Sequence, residues 1–117
     1  MTCLARLKKR REFVKVAQEG DYTSSATLVV QRFAKPLSAD KCQFRVGFTA
    51  SKRVGNSVKR NKAKRRMRAV IHLWAKEMAT LPCCDLVLIA KAALVTAPFK
   101  KAQQDFKKSL ANLQVTK

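Results

Sequence analysis

The sequence predicts a single α+β domain with its elements in the order α, β, β, α, β, α, and space for one further short strand before the central helix, around a mostly antiparallel sheet. Three observations carry this. Apolar residues recur every three to four positions in three segments, and three others are rich in β-formers or alternate with period two. The 117 residues contain no repeat, low-complexity stretch or linker, so residues 1–117 form one domain with one modest core.

The first helix is expected over Lys8 to Glu19, where Phe13, Val16 and Ala17 make an i, i+3, i+4 set and Gly20 supplies the stop. Its first turn is strongly basic, against the helix dipole, which hints at an anionic contact. Ala26 to Phe33 reads as a strand, and Pro36, Ser38, Ala39 and Asp40 mark a loop. Cys42 to Ala50 is the second strand: Phe44, Val46 and Phe48 share one face, and Gln43, Arg45, Gly47 and Thr49 the other. The intervening loop suits an antiparallel hairpin. Ser51 to Val54 either extends that strand or forms a short one before Gly55 and Asn56.

The longest helix runs from Ser57 to about Ala79, capped by Asn56, with Ala63, Met67, Val70, Ile71, Trp74 and Met78 along one stripe. Leu81 and Pro82 end it. Asp85 to Ala90 is apolar on both faces and therefore central in the sheet. A last helix starts near Thr96 with Pro98 in its first turn. Phe99, Ala102, Phe106, Leu110 and Leu113 form its stripe, and Lys100, Lys101, Lys107 and Lys108 lie outside it.

Charge narrows the function. The chain has 26 Lys and Arg against 7 Asp and Glu, a formal +19, which implies a polyanionic partner, nucleic acid before an acidic membrane surface. No signal peptide is visible, and the longest apolar run, Leu86 to Ala90, is far below a membrane span, so a cytoplasmic protein is expected. Cys3, Cys42, Cys83 and Cys84 lack metal-ligand spacing, the sole histidine is His72, and the cysteines read as reduced thiols. Scattered carboxylates, no glycine-rich phosphate loop and no Ser/His/Asp grouping point to a binder rather than an enzyme acting alone. His72, with Arg68 and Lys76 one turn away on either side, reads as a surface or core histidine before a base.

From Lys41 to Lys76 there are twelve basic residues and no acidic one. Arg60 and Lys64, and Lys64 and Arg68, are like-charged i, i+4 pairs that each cost a few tenths of a kcal/mol, about 0.2–0.5. Arg60, Lys64 and Arg68 form one strip and Asn61 and Arg65 the next, over roughly 12 Å, enough to follow a phosphate backbone. Arginine forks pair bidentately with phosphate, and Asn61 can donate to phosphate and accept from a base or a 2′-hydroxyl. Phe13 with the sheet's alternate face could line a shallow concavity for single-stranded nucleic acid. Taken singly, Phe13, Phe44 and Phe48 read as core, as do Trp74 and Phe106.

The string Gly55-Asn56-Ser57-Val58-Lys59-Arg60-Asn61-Lys62-Ala63-Lys64-Arg65-Arg66-Met67-Arg68, preceded by Phe44 to Arg53, resembles the signature of the bacterial ribonuclease P protein subunit. Leu7, Phe13, Val16 and Gly20 match that family's first helix, and Ile89-Ala90-Lys91 its last strand. Ser57 and Ala63 depart from the usual residues without touching the cationic positions. The resemblance implies an α/β sandwich with a left-handed βαβ crossover, and a ribonucleoprotein whose RNA subunit is the catalyst that removes the 5′ leader from precursor tRNA. It implies contacts to the catalytic RNA by Lys52, Arg53, Asn56, Lys59, Arg60, Asn61, Lys64, Arg65 and Arg68. It places the leader in a cleft formed by Phe13, Ala17, Val30, Gln31, Ser51, Lys52 and Lys91, where Ala17 and Gln31 replace positions often aromatic in relatives. No catalytic residue, metal site or cofactor is expected on the protein, Mg2+ is expected for the holoenzyme, and one protein per RNA. The alternatives are a structural, ribosome-associated RNA-binding protein without a role in cleavage, an architectural DNA-binding protein and a standalone nuclease.

Overall fold

The computed structural model describes residues 4–34, 44–78 and 84–113. Cys3, Cys42, Cys83, the 35–43 loop and the Leu81-Pro82 stop lie outside the described residues. The elements are β1 (Leu4–Arg6), α1 (Arg10–Glu19), β2 (Asp21–Ser24), β3 (Leu28–Ala34), β4 (Phe44–Thr49), a 3-10 turn (Lys52–Val54), α2 (Ser57–Glu77), β5 (Cys84–Ala90), α3 (Ala93–Thr96) and α4 (Phe99–Asn112).

Five strands form one mixed sheet in the order β1-β4-β5-β3-β2. β1 pairs with β4 and β4 with β5 in parallel; β3 pairs with β5 and β2 with β3 antiparallel. The expected hairpin between β3 and β4 therefore does not form, because β5 lies between them. The physical reason is in β5 itself: six of its seven residues are buried, so it gains most from a neighbour on each side. β4, α2 and β5 make the βαβ crossover, and the sheet is half parallel rather than mostly antiparallel.

The sheet divides two cores. On one face, Leu28, Val30, Phe44, Val46, Leu86 and Leu88 meet Ala63, Met67, Ile71 and Trp74 of α2 and Ala102, Phe106 and Leu110 of α4. Trp74 packs 5.4 Å from the Phe44 ring and edge-on, 5.6 Å, to Phe106. On the other face α1 lies alone, with Leu7, Val16 and Val87 buried and Phe13, Phe33 and Ile89 packed around them. This is the α/β sandwich. The stripes expected on α2 and α4 are the ones buried, with Met78 and Phe99 at the margins.

Three local devices fix the ends. Glu12 Oε1 accepts from the backbone N–H groups of Lys8 (3.0 Å) and Lys9 (2.9 Å), so an acidic residue completes the basic first turn of α1. Asn56 Oδ1 accepts from Lys59 N–H at 3.0 Å and caps α2 as expected. Gly55, at φ 140°, makes the turn between the 3-10 segment and α2, a conformation that a side chain rarely adopts. Ser51 to Val54 thus forms a helical turn rather than a strand. The last helix is split, with α3 ending at Thr96 and Pro98 capping α4. Buried Asp105 ties α4 to the β2–β3 turn by accepting from Thr27 Oγ1 (2.6 Å) and N–H (3.2 Å). Burial opposes its ionisation, yet the bonds from Thr27 and Lys101 hold its pKa below the ordinary value.

Candidate nucleic-acid interface

α2 presents its cations because its apolar stripe is fixed against the sheet. With Ala63, Met67 and Val70 turned inward, Lys59, Asn61 and Arg65 are exposed and Arg60, Lys64 and Arg68 half-buried along the flanks. Lys52 and Arg53 extend the same charged end from the 3-10 turn. Among the described residues, no carboxylate forms an ion pair with any of these seven cations. Arg60, Asn61 and Lys64 line a hollow with Ala50 and Ser57, where Arg60 Nη2 lies 3.4 Å from Ser57 Oγ. Arg60 Nε is buried and has no hydrogen-bond partner among the described residues.

Two other arginines of the acid-free stretch are not part of this field. Arg66 donates to the carbonyls of Leu94 (3.0 Å) and Ala97, anchoring α3 on α2. Arg45, on the α1 face, donates from Nε (3.0 Å) and Nη2 (2.8 Å) to Asp85 and from Nη1 (2.5 Å) to Glu12 Oε2. The Asp85 hydrogen bonds raise the Arg45 pKa, and the backbone donors of Lys9 and Lys8, joined by Arg45, hold Glu12 at about 2. This trio locks the start of α1 to the sheet.

Beside it lies a shallow groove of ≈ 500 Å³ between α1 and the sheet, walled by Lys8, Arg10, Phe13 and Ala17 and floored by Gln31, Thr49, Val87 and Ile89. The register explains the floor: Gly47, Val87, Gln31 and Tyr22 stand in one row across four strands, and Thr49, Ile89, Val29 and Ser24 in the next. Gly47 lets the Phe13 ring settle on the strand, because a Cβ there would come within 2.7 Å of Phe13 Cζ.

Phe13, Ala17 and Gln31 are brought together as expected. Val30 is not: it is 0% exposed in the opposite core, since neighbouring strand residues face opposite ways, and the groove takes Gln31 instead. Ser51 and Lys52 sit past the groove at the end of β4. Lys91 is spoken for at the open end, donating from Nζ to Ser24 Oγ (2.6 Å) and the Ser25 carbonyl (2.5 Å). Asn56 uses its carbonyl oxygen as the helix cap, which leaves its amide for a partner. Tyr22, 71% exposed beside Gln31, escaped the sequence reading because β2 is too short to show alternation. Phe48 and His72 lie on the α2 side, His72 exposed.

Among the described residues no group of three or more His, Cys, Asp or Glu side chains gathers to hold a metal, and no helix is long and apolar enough to cross a membrane.

A protein-family model described as Ribonuclease P matches residues 1–114. The chain is 38% identical over 105 residues to the ribonuclease P protein component of Gluconacetobacter diazotrophicus, covering 90% of this chain and 87% of that one. It is 36% identical over 112 residues to that of Ruegeria pomeroyi, covering 95% and 87%. Among solved structures, the RNase P protein of Staphylococcus aureus superposes with a TM-score of 0.79 at 24% identity, covering 96% of this chain and 97% of that one. The RNase P protein from Thermotoga maritima gives 0.72 at 22% identity over 93% and 94%.

Proposed function

The chain belongs to the ribonuclease P protein family, and from that membership we propose that it works as a two-sided RNA adaptor in tRNA 5′ processing. As a family member it is the protein component of an endoribonuclease. The α2 face, with Lys52, Arg53, Asn56, Lys59, Arg60, Asn61, Lys64, Arg65 and Arg68, docks on the RNA subunit, which supplies the chemistry. The α1 groove holds the single-stranded 5′ leader of precursor tRNA, with Phe13 and Tyr22 as stacking surfaces and Lys8 and Arg10 near its phosphates. One protein serves one RNA in the cytoplasm.

The observation that carries this reading is the separation of the two surfaces by the sheet: on the α2 side a cation field without ion pairs among the described residues, and on the α1 side an aromatic groove with a cationic wall. On this reading the Mg2+ expected for the holoenzyme belongs with the RNA phosphates. Cations set between two RNAs offset their mutual repulsion, and holding the leader favours precursor over mature tRNA.

Reconstitution with a bacterial ribonuclease P RNA tests this. The holoenzyme should release the leader and bind precursor more tightly than leaderless tRNA, while the protein alone leaves precursor intact. Equal affinity for the two tRNAs would remove the groove from the account, and cleavage by the protein alone would overturn the division of labour. A purely structural RNA-binding protein would leave leader removal unaffected by its presence.

A further inference from the structure

The flank of α2 that faces β1 and β4 carries a second, smaller hollow on the opposite side of the sheet from the leader groove. Val46, Phe48 and Ile71 form its floor and Arg6, Arg68 and His72 its rim, around ≈ 240 Å³. The register accounts for the rim. Arg6 stands opposite Val46 in the parallel β1–β4 pair, so its side chain leaves the sheet on the same face as Val46 and Phe48. Its guanidinium carbon lies 5.5 Å from the Phe48 ring centroid, within cation–π reach. From the other wall, Arg68 and His72 are one helical turn apart and bracket Ile71. Phe44 is closed off in the core, Val46 is almost completely buried beneath the hollow, and Phe48, next on the same face, stays partly open.

We propose that this hollow receives one unpaired nucleotide of the RNA subunit, its base against Phe48 and Ile71 and its phosphate among Arg6, Arg68 and His72. The proposal rests on the reading of α2 as the RNA-subunit face. It adds to that face a pocket for a base where the cation strip offers only phosphate contacts. Three features select this occupant. No lining residue among those described is acidic, an aromatic and aliphatic floor would be idle against a duplex whose bases are stacked inside, and Arg68 belongs both to the rim and to the Arg60–Lys64–Arg68 strip. A strand whose phosphates follow that strip is thereby led to the hollow at its end. Arginine and aromatic side chains around an extruded base are the usual means of reading unpaired RNA.

The test uses the reconstituted holoenzyme with Phe48→Leu, which keeps an apolar side chain against the core, and His72→Ala, which removes an exposed rim group. Affinity for the RNA subunit is measured across salt, and 2′-hydroxyl acylation is mapped along the RNA. Phe48→Leu should weaken binding about fivefold to twentyfold. Its salt slope should be unchanged, because no phosphate contact is lost. A single unpaired nucleotide, protected in the wild-type complex, should regain reactivity in both variants. Wild-type affinity and footprint in Phe48→Leu would overturn the proposal. If Phe48→Leu instead loosens protection everywhere, His72→Ala decides: re-exposure of one nucleotide supports the pocket, and a wild-type footprint overturns it. Failure of the wild-type protein to bind the RNA subunit at all is a different result, which would sink the reading of the α2 face itself.

Discussion

Arg65 and Arg45 look alike as basic residues in one acid-free stretch, yet Arg65 is exposed on α2 and Arg45 is bonded to Asp85 and Glu12, and replacing each tests the separate roles proposed for them. Arg65 is exposed on α2, one of seven cations with Lys52, Arg53, Lys59, Arg60, Lys64 and Arg68 that no carboxylate among the described residues offsets. If each neutralises one phosphate, log affinity for the RNA subunit falls with log salt at a slope of about −5 to −6, roughly a thousandfold between about 50 and 200 mM salt. Arg65→Ala should weaken binding about tenfold and make the slope shallower by just under one, with an unchanged melting temperature. Arg45 is 26% exposed and gives two hydrogen bonds to Asp85, itself 5% exposed, and one to Glu12. Arg45→Met removes all three and should cost about 2 kcal/mol of stability, below the full value for a buried pair because Arg45 is partly hydrated. Its salt slope should match wild type. Filter binding across a salt series and urea denaturation give both quantities. An Arg45→Met protein of normal stability with a slope reduced like that of Arg65→Ala would refute the reasoning, since it would make Arg45 a phosphate contact rather than a structural lock.

Four other outcomes follow from the same geometry. Gly47→Ala forces its new methyl into the Phe13 ring, so stability should drop by about 1–3 kcal/mol in thermal melts and precursor binding should weaken as the groove wall shifts. The Glu12 carboxyl lies at about 2 in the folded chain against an ordinary 4.5, so its contribution is full above about pH 4.5 and is lost as pH falls from there towards 2; Glu12→Gln should flatten that acid limb in denaturation curves. Tyr22→Ala should cost about fivefold in affinity for precursor and nothing for leaderless tRNA, as measured by holoenzyme binding. Finally, a +19 chain repels itself, so sulfate should raise the melting temperature at constant ionic strength, by about 2.7 kcal/mol of stability at a hundred times its dissociation constant; a melting temperature indifferent to sulfate contradicts this.

What the sequence revealed follows the length of each element. α2 and α4 were legible residue by residue because three or more turns of stripe leave one solution for which side faces the core. β5 was legible because nothing but a central strand buries both faces. β1 and β2, three and four residues long, carry too little pattern to register, and with them went Arg6 and Tyr22. The β3–β4 hairpin failed because a short loop says nothing about a third strand entering between its arms. The face of Arg45 was legible but its partners were not, although a signal existed: Asp85 opens an otherwise apolar central strand, and a buried carboxylate needs a cationic partner. Val30 shows how a one-residue offset on a strand moves a side chain from groove to core.

The central claim, that the sheet keeps the RNA subunit on its α2 side and the leader on its α1 side, is tested most directly by site-specific crosslinking. A photoreactive residue is placed at Gln31 or at Arg65 in the holoenzyme bound to precursor tRNA. The Gln31 probe should attach to the 5′ leader and the Arg65 probe to the RNA subunit. Attachment of the Gln31 probe to the RNA subunit, or of the Arg65 probe to the leader, would contradict the account.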